Sequence, residues 1–457
     1  MVKTIEDSDL RTLALAPMSP LPYWQQLKAI RAYHSGLETL RDAGGAVTRL
    51  RLAPKWLMPP VVVTTSPQGA RDVLGRTGAH IDKTPLHDEL RRVIGPNLFD
   101  LMHEPWLPRR RSLQPVFTKR HVQAFAGDMS QAAEMIADSW RDRTEIDLDA
   151  ECRRLTLRAL GRSVLGLDLE EHSEALAEPL RISTEYALDR AMRPVRAPQW
   201  LPTPARQRVR GASATLHQLA DDILQACRTD PGLDAPLVHA LIAATDPETG
   251  KRLSDDDIRD ELIIFLLAGH DTTATLLAYA LWALGHHSDM QERVRAEVAE
   301  LGDRSLTPQD IPNLRYTVQV LHEALRLCPP AAAAARMAME DVEVDGYRVE
   351  AGTMLLVGIY ALHRDPALWD QPLVFDPDRF SPADSKDRDR WQYLPFGAGP
   401  RSCIGDHFAM LEATLALATL VRHTEIHSTK TDFPIIVPFT TIAAAPIPAR
   451  VKRRGAV

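Results

Sequence analysis

Phe396-Gly397-Ala398-Gly399-Pro400-Arg401-Ser402-Cys403-Ile404-Gly405 puts one cysteine in a glycine-rich loop directly ahead of an apolar-periodic segment. From Asp406 to about His423, Phe408, Leu411, Leu415 and Leu417 recur among alanines, a spacing that predicts a buried helix. Cys403 therefore falls at a helix N-terminus. Unpaired backbone N–H groups and the positive end of the helix dipole there favour the thiolate, a soft metal ligand. Gly397, Gly399 and Gly405 permit turns and the close approach of something flat or bulky. Arg401, two residues before the cysteine, is placed to meet an anionic group. A lone cysteine of this kind is more simply a buried structural residue. The complete string reverses that reading.

Phe-x-x-Gly-x-Arg-x-Cys-x-Gly resembles the haem-ligand loop of the cytochrome P450 family, in which the cysteine thiolate is the axial ligand of haem iron. The resemblance implies that Cys403 ligates the iron, that Phe396, Gly397 and Gly405 shape the loop around the cofactor, and that Arg401 meets a haem propionate. Four further motifs, in chain order, match the same family.

Trp106 and Arg110 lie four residues apart in a segment leading into a helix and resemble the family's Trp-x-x-x-Arg pair, which holds haem propionates. His103 stands where the family often has glycine. Ala268-Gly269-His270-Asp271-Thr272-Thr273 interrupts a long apolar stretch that opens on Ser254-Asp255-Asp256-Asp257, a serine cap with carboxylates in the first turn. A helix from there to Gly285 would be about 48 Å long. Small residues in its middle permit a group to approach the axis, and Thr272 or Thr273 can divert a backbone hydrogen bond and open a pocket. Close packing on a neighbouring helix explains the same residues. By resemblance, this is the family's oxygen-binding notch, in which Asp271 and Thr272 deliver protons to dioxygen and Ala268 and Gly269 border the substrate pocket.

Glu323-Ala324-Leu325-Arg326 sets a carboxylate and a guanidinium on one helical face, a pair worth only about 0.2–0.5 kcal/mol on a helix surface. It resembles the family's buried pair, and Arg379 in Pro377-Asp378-Arg379-Phe380 would complete a Glu-Arg-Arg network. Between them, Ala331, Ala332 and Ala333 precede Arg336. The resemblance implies that this connection passes over the haem, that Arg336 binds a propionate and that the alanines leave room for substrate.

The implied fold is mainly α with a smaller β-rich lobe, the haem lying between the long helix and the cysteine loop. Residues 1–457 read as one haem domain whose β-rich lobe comes from about 36–72, 336–362 and the C-terminal strands. Local signals agree. Residues 46–52 and 61–65 read as strands, Ser66-Pro67 opens a helix, and Val342–Val349 reads as a hairpin with an Asp-Gly turn, with strands continuing through Met354 to Tyr360. Residues 122–166 and 173–192 read as helices, 433–448 as a last small sheet. His80 to Glu104, with Pro85, Gly95 and Pro96, reads mainly as a loop. Arg193 to Arg206, broken by Pro194, Pro198, Pro202 and Pro204, reads as an irregular connection. Trp200 and Leu201 in it either anchor the connection or border a substrate entrance.

The 457 residues are 45% hydrophobic and 25% charged, enough for a large core. A net charge of −7 argues against nucleic-acid binding. Cys152, Cys227, Cys328 and Cys403 are far apart, so neither a disulfide framework nor a zinc site is indicated, and a reducing cytoplasm fits. The N-terminal twenty residues carry charges throughout and predict no signal peptide or membrane anchor. His270 to Thr273 makes the long apolar stretch a buried helix rather than a span.

By resemblance the chain is a haem-thiolate monooxygenase. It would use haem b (iron protoporphyrin IX) and dioxygen to hydroxylate or epoxidise a small hydrophobic substrate. No flavin or iron–sulfur motif is evident, so electrons would come from an external ferredoxin or flavodoxin with an NAD(P)H-dependent reductase. Arg109, Arg111, Lys119 and Arg120 are candidates for its docking face, or else a solvated face. A haem-thiolate peroxygenase or isomerase would keep the cysteine loop but need no Asp271-Thr272 pair. A non-catalytic haem sensor would be expected to carry a signalling domain.

Overall fold

Valine-rich segments separated by turns build a sheet buried on both faces. The computed structural model describes residues 10–142, 144–165, 173–193, 195–198 and 200–454. Residues 1–9, Arg143, Gly166, Pro194 and Gln199 of the stretches read above lie outside the described residues. β1 (Val47–Leu50) pairs antiparallel with β2 (Val61–Thr64). β2 runs parallel to β8 (Met354–Val357), which pairs antiparallel with β5 (Ala334–Ala338), and β5 holds the edge strand β3 (Ile81–Asp82). Side chains alternate across this sheet. Val61, Val63 and Leu356 pack with Leu37 and Leu40 on one face, while Val62, Leu355 and Val357 pack with Val73, Leu74 and Trp391 on the other. Two helices supply all of these partners but Trp391: α2 (Ser35–Gly44), which follows α1 (Tyr23–Arg31), and α3 (Pro67–Gly75). Ser66 caps α3 by accepting from Gly69 N at 2.9 Å, with Pro67 at the first position.

The remainder is mostly helical, numbered here for helices of eight residues or more. Residues expected to form a loop contain α4 (Pro85–Ile94) and the start of α5 (His103–Leu113). The sequence reading took Pro85 and Gly95 as breakers. They are the helix's start and stop: Pro85 follows the capping residue Thr84, whose backbone N–H donates to His87 Nδ1, and Gly95 ends α4 at φ +88°. Residues 122–166 likewise hold a strand, β4 (Thr144–Asp147), between α6 (Ala126–Ser139) and α7 (Leu148–Leu160). β4 pairs with β12 (Pro448–Arg453), whose other edge holds β9 (Thr424–Ser428). α8 (Ser173–Met192) runs as expected. Pro204, read as a break, instead opens α9 (Pro204–Thr229) behind a Thr203 cap.

After α10 (Pro236–Ala243) comes the central element, α11 (Asp255–Leu284). Ser254 accepts from Asp257 N at 3.1 Å and Asp257 accepts from Ser254 N at 3.0 Å, a closed capping box. Thirty residues make it about 45 Å long. It packs against α7, α9, α13 (Arg315–Leu327) and α14 (Asp406–His423), with α12 (Ser288–Ala299) bracing α14. Leu262, Ile263, Leu277 and Leu281 of α11 and Leu415, Leu417 and Leu420 of α14 are fully buried, each contributing about 1.5–3 kcal/mol.

The hairpin forms as read: β6 (Val342–Val344) and β7 (Tyr347–Val349) join at Asp345 and Gly346, both at positive φ. The strand that follows ends at Val357, and Ile359–Leu362 turns into a short helix. β10 (Ile435–Ile436) and β11 (Ile442–Ala443) make the expected last sheet. α11 is the one helix among the described residues long and apolar enough to cross a membrane, and 67% of its most apolar window is buried inside the fold.

Candidate active site

The cysteine loop is folded by its own backbone. Gly397 N donates to Leu394 O at 3.0 Å, Ser402 N to Gly399 O at 3.1 Å and Cys403 N to Phe396 O at 2.9 Å. Gly399 has φ +73°, and a Cβ there would stand 2.1 Å from the Leu74 carbonyl oxygen, so only glycine lets the loop lie against α3. Gly405 caps α14, and a Cβ on it or on Gly397 would project into open space. Cys403, two residues before that cap, is exposed, whereas the other three cysteines are buried.

The sequence reading placed a thiolate here because of the helix end. The structure reverses the sign for the metal-free thiol. Although its side chain opens to the surface, the chain packed around the sulfur displaces water and raises the Cys403 pKa, with Asp406 acting the same way and the Gly405 backbone hydrogen bond and Arg110 pulling it down. The helix end is the weaker effect, and a bound metal ion would be what deprotonates the sulfur.

The helix that the loop leads into, α14, packs on the middle of α11. The neighbouring turns of α11 are buried, yet Ala268 is exposed and Gly269, Asp271 and Thr272 are partly so. Thr272 Oγ1 donates to Ala268 O at 2.6 Å, and Thr156 Oγ1 of α7 donates to His270 O at 3.1 Å. Two hydroxyls therefore draw on carbonyls of this one turn. Gly269 has a different reason: its Cβ would meet Leu160 of α7 at 3.0 Å, so on that side the small residue serves helix packing. Asp271 is ion-paired with Arg153 of α7, which also holds Asp149 at 2.8 Å. His270 is buried, and loss of water holds it down to about 4, so it is neutral at pH 7. α14 crosses α11 beside this turn. Its buried Glu412, pushed well above the usual carboxylate range by burial, is met by the Thr273 hydroxyl.

The propionate candidates gather at the end of the site nearest β5. Trp106 is buried under the Arg401 guanidinium, 4.4 Å from its ring. Arg401 donates to Asp82 at 3.0 Å and to Leu101 O at 2.6 Å, and Arg110 donates to Ser402 O at 3.2 Å. Arg336, buried on β5, donates to Thr77 Oγ1 at 3.3 Å and to Ala335 O at 2.9 Å. The sequence reading missed Lys83, which is buried beside them with its ammonium 4.5 Å from the Phe99 ring. Burial pushes Arg336 and Arg401 down to about 10, with Arg401 adding repulsion on Arg336 and Arg91 on Arg401, and burial with both Arg336 and Arg401 pushes Lys83 well below its ordinary value. Asp82 is ion-paired with Arg401, and burial raises Asp100 to about 7. The cluster is thus short of negative charge, and a ligand carrying carboxylates fits it.

The donor set fits haem as well. Among the described residues no group of three His, Cys, Asp or Glu side chains is arranged to hold a metal. Cys403 alone offers one sulfur, so the remaining ligands must come with the cofactor, as porphyrin nitrogens do.

Other expectations change. Ala331 is exposed, but Ala332 is buried with its carbonyl bonded to Tyr360 N at 2.9 Å, and Ala333 packs against the sheet core. Of the three alanines Ala331 is the most open and Ala333 is half-buried. Phe99 (40% exposed) and Phe439, 5.8 Å apart between ring centroids, are apolar groups that sequence reasoning did not place. Arg109 and Arg111 are not a free docking face. Arg109 is paired with Asp257 and Glu261, and Arg111 with Asp246 and Glu248. Lys119 and Arg120 remain exposed. Trp200 is 80% exposed and anchors nothing; Arg206 holds the connection by donating to Pro198 O at 2.7 Å and Leu201 O at 2.6 Å. Glu323, Arg326 and Arg379 do come together, with Arg326 at 2.7 Å and Arg379 at 3.5 Å from the Glu323 carboxylate.

Comparison with known proteins agrees with this geometry. The family profile described as "Cytochrome P450" matches residues 16–453. Cyclooctatin synthase of Streptomyces melanosporofaciens is 36% identical over 83% of this chain and 82% of its own. Cyclooctat-9-en-7-ol 5-monooxygenase of the same organism is 33% identical over the same shares. The crystal structure of a cytochrome P450DA heme domain superposes with a TM-score of 0.84 at 26% identity, covering 97% of this chain and 99% of that one. With the profile spanning nearly the whole chain and relatives above 30% identity over more than four fifths of it, the chain belongs to the cytochrome P450 family, the haem-thiolate monooxygenases.

Proposed function

We propose that the protein inserts one atom of dioxygen into a C–H or C=C bond of a small cyclic alkene or alkenol. Electrons would come from a ferredoxin or flavodoxin with an NAD(P)H-dependent reductase, in the cytoplasm, on a single domain spanning 1–457 of the bacterial type. The observation that carries the reading is exposed Cys403 at the start of the helix that crosses α11 beside the partly open turn of Ala268, Gly269, Asp271 and Thr272. The relatives support the substrate class: one is named for oxidation of cyclooctat-9-en-7-ol, whose name describes an alkenol.

Cys403 would hold haem b through Sγ, with Phe396, Gly397 and Gly405 shaping the loop around it. Trp106, Arg110, Arg336 and Arg401 would meet the cofactor's carboxylates. Ligated by a thiolate, haem supplies the oxidising power that cleaves dioxygen and attacks the substrate.

The chain's own task is to orient the substrate and deliver protons. Ala268, Ala331, Phe99 and Phe439 offer apolar surface to the substrate. Thr272 Oγ1 spends its hydrogen on Ala268 O, which leaves the oxygen's lone pairs open to accept a hydrogen bond from the cavity. Asp271, ion-paired with Arg153 and partly exposed, would take up a proton from solvent and pass it along the turn to Thr272. Glu323, Arg326 and Arg379 bind 363–380 to α13 and so steady the chain that leads to the cysteine loop.

The test is turnover of a panel of cyclic alkenes and alkenols under ¹⁸O₂ with a ferredoxin, its reductase and NADPH. One labelled oxygen per product molecule is expected. Label arriving only from water would overturn the reaction, and turnover confined to straight-chain acids would overturn the substrate class.

A further inference from the structure

Residues Ala14 to Ser19 run along the outer edge of the large sheet and stitch two distant segments together. Arg348 N donates to Ala14 O at 2.9 Å, Arg49 N to Pro17 O at 2.8 Å and Ser19 N to Arg49 O at 2.9 Å. Arg49 of β1 and Arg348 of β7 are thereby brought to one narrow cleft, which Leu15, Arg51, Glu350 and Thr353 also line. Arg49 pairs across the ladder with Val62, whose side chain packs on the α3 side of the sheet. The cleft is therefore on the side away from α1 and α2, which pack on the other face.

The three arginines are rich in donors and have nothing to give them to. Among the described residues none of Arg49, Arg51 and Arg348 has a carboxylate within 4.0 Å. Nε of Arg49 and Nε of Arg348 are both buried with no acceptor. Arg109, Arg111, Arg153 and Arg326, by contrast, all hold carboxylates. A buried donor without an acceptor is costly and calls for a water or an ion. The floor of the cleft has a volume of about 10 Å³, room for about one oxygen atom of water size. A water there would satisfy the donors but not the charge: three arginines less Glu350 leave a net +2.

We infer that this cleft binds a phosphate monoester dianion, with one phosphate oxygen seated between Arg49 and Arg348 and the others held at the mouth by Arg51. A monoester carries close to two negative charges above pH 7 and three terminal oxygens, which match the net charge and the planar guanidinium donors together. A carboxylate or a phosphodiester brings one charge and leaves the cleft positive. An apolar ligand is excluded by the narrow floor and by the charge. The site is separate from the cationic cluster of the cofactor, since β2 and β8 stand between β1 and the Arg336 strand β5.

The experiment uses the haem-loaded protein, so that the cofactor occupies the cluster around Arg336 and Arg401. Phenyl phosphate, diethyl phosphate and acetate are titrated in by calorimetry at low chloride and at a pH where the monoester is a dianion. Saturable binding of phenyl phosphate is expected, with Kd below about 1 mM. Diethyl phosphate, which has the phosphodiester of a lipid headgroup, and acetate should bind at least about fivefold more weakly. Arg49→Gln with Arg348→Gln should weaken phenyl phosphate binding by about tenfold or more. Arg51→Gln changes an exposed side chain and should weaken it about threefold, which keeps the test open should the double variant fail to fold. Lys119→Gln with Arg120→Gln, exposed cations elsewhere on the surface, should leave it unchanged. Absence of saturable phenyl phosphate binding to the unmodified protein would overturn the inference. So would equal affinity for the diester, unchanged binding in the cleft variants, or an equal loss in the Lys119 and Arg120 variant.

Discussion

Glu323 and Arg326 meet at 2.7 Å with both side chains fully buried, and no other ion pair among the described residues is so completely withdrawn from water. Arg326 spends its remaining donors on His363 O, Pro372 O and Val374 O, and Glu323 accepts from Asp376 N at 2.9 Å. Removing one partner leaves the other charge buried. Glu323→Gln is therefore expected to cost about 3–5 kcal/mol. Urea unfolding of the haem-loaded protein checks this, and a loss under 1 kcal/mol would mean the pair is not a structural clamp.

Acid should weaken the fold through His363. It is fully buried, its Nε2 accepts from Leu394 N at 2.8 Å, and burial with the nearby Arg326 charge pushes its pKa down from 6.5 to about 3. Between those values the unfolded chain binds a proton that the folded chain refuses, so stability rises with pH there. The stability advantage of the wild type over His363→Asn should shrink as pH falls from 7 to 4, by at most about 1.4 kcal/mol per pH unit. A constant difference across that range would refute the assignment.

Asp271→Asn removes the ionisable group of the open turn and the charge facing Arg153. Product formation should slow about 10²–10⁴-fold, with substrate binding little changed. Thr272→Ala should keep consuming NADPH but release peroxide in place of product, and Thr272→Ser should restore coupling. Measured oxygen, NADPH and product stoichiometries decide it; unchanged coupling in Thr272→Ala would remove that hydroxyl from the pathway.

Arg336→Leu should act with opposite signs on the two forms of the protein. Without haem it removes a buried cation repelled by Arg401, so the haem-free protein should melt at a higher temperature. With haem it removes a charge-assisted hydrogen bond of about 1.5–3 kcal/mol, so haem should transfer to apomyoglobin about ten- to a hundredfold faster. Faster transfer without the rise in melting temperature would leave Arg336 a ligand but not a repelled cation.

Much of this was legible because it rests on local patterns. The capping boxes, the alternating valines of β2 and the Asp345-Gly346 turn are each decided within a few residues. What the sequence hid depends on contacts between distant segments. Pro85, Gly95 and Pro204 were taken as breakers although each marks a helix end, because a proline or glycine reads the same on either side of a boundary. Lys83 is unremarkable in sequence, and only the meeting of β3 and β5 shows it buried beside Arg336. Arg109 and Arg111 looked like a basic patch until α11 and the 246–248 turn supplied their carboxylates. The rise in the Cys403 pKa was hidden for a related reason: the helix end is visible in sequence, and the crowding of the sulfur by surrounding chain is not.

The account stands on sulfur ligation by Cys403. Its most direct test is the absorption spectrum of the dithionite-reduced protein under carbon monoxide. The account predicts the strongly red-shifted band of thiolate-ligated haem in the wild type and its loss in Cys403→Ser. A band of the histidine-ligated type in the wild type, or a red-shifted band that survives in Cys403→Ser, would contradict it.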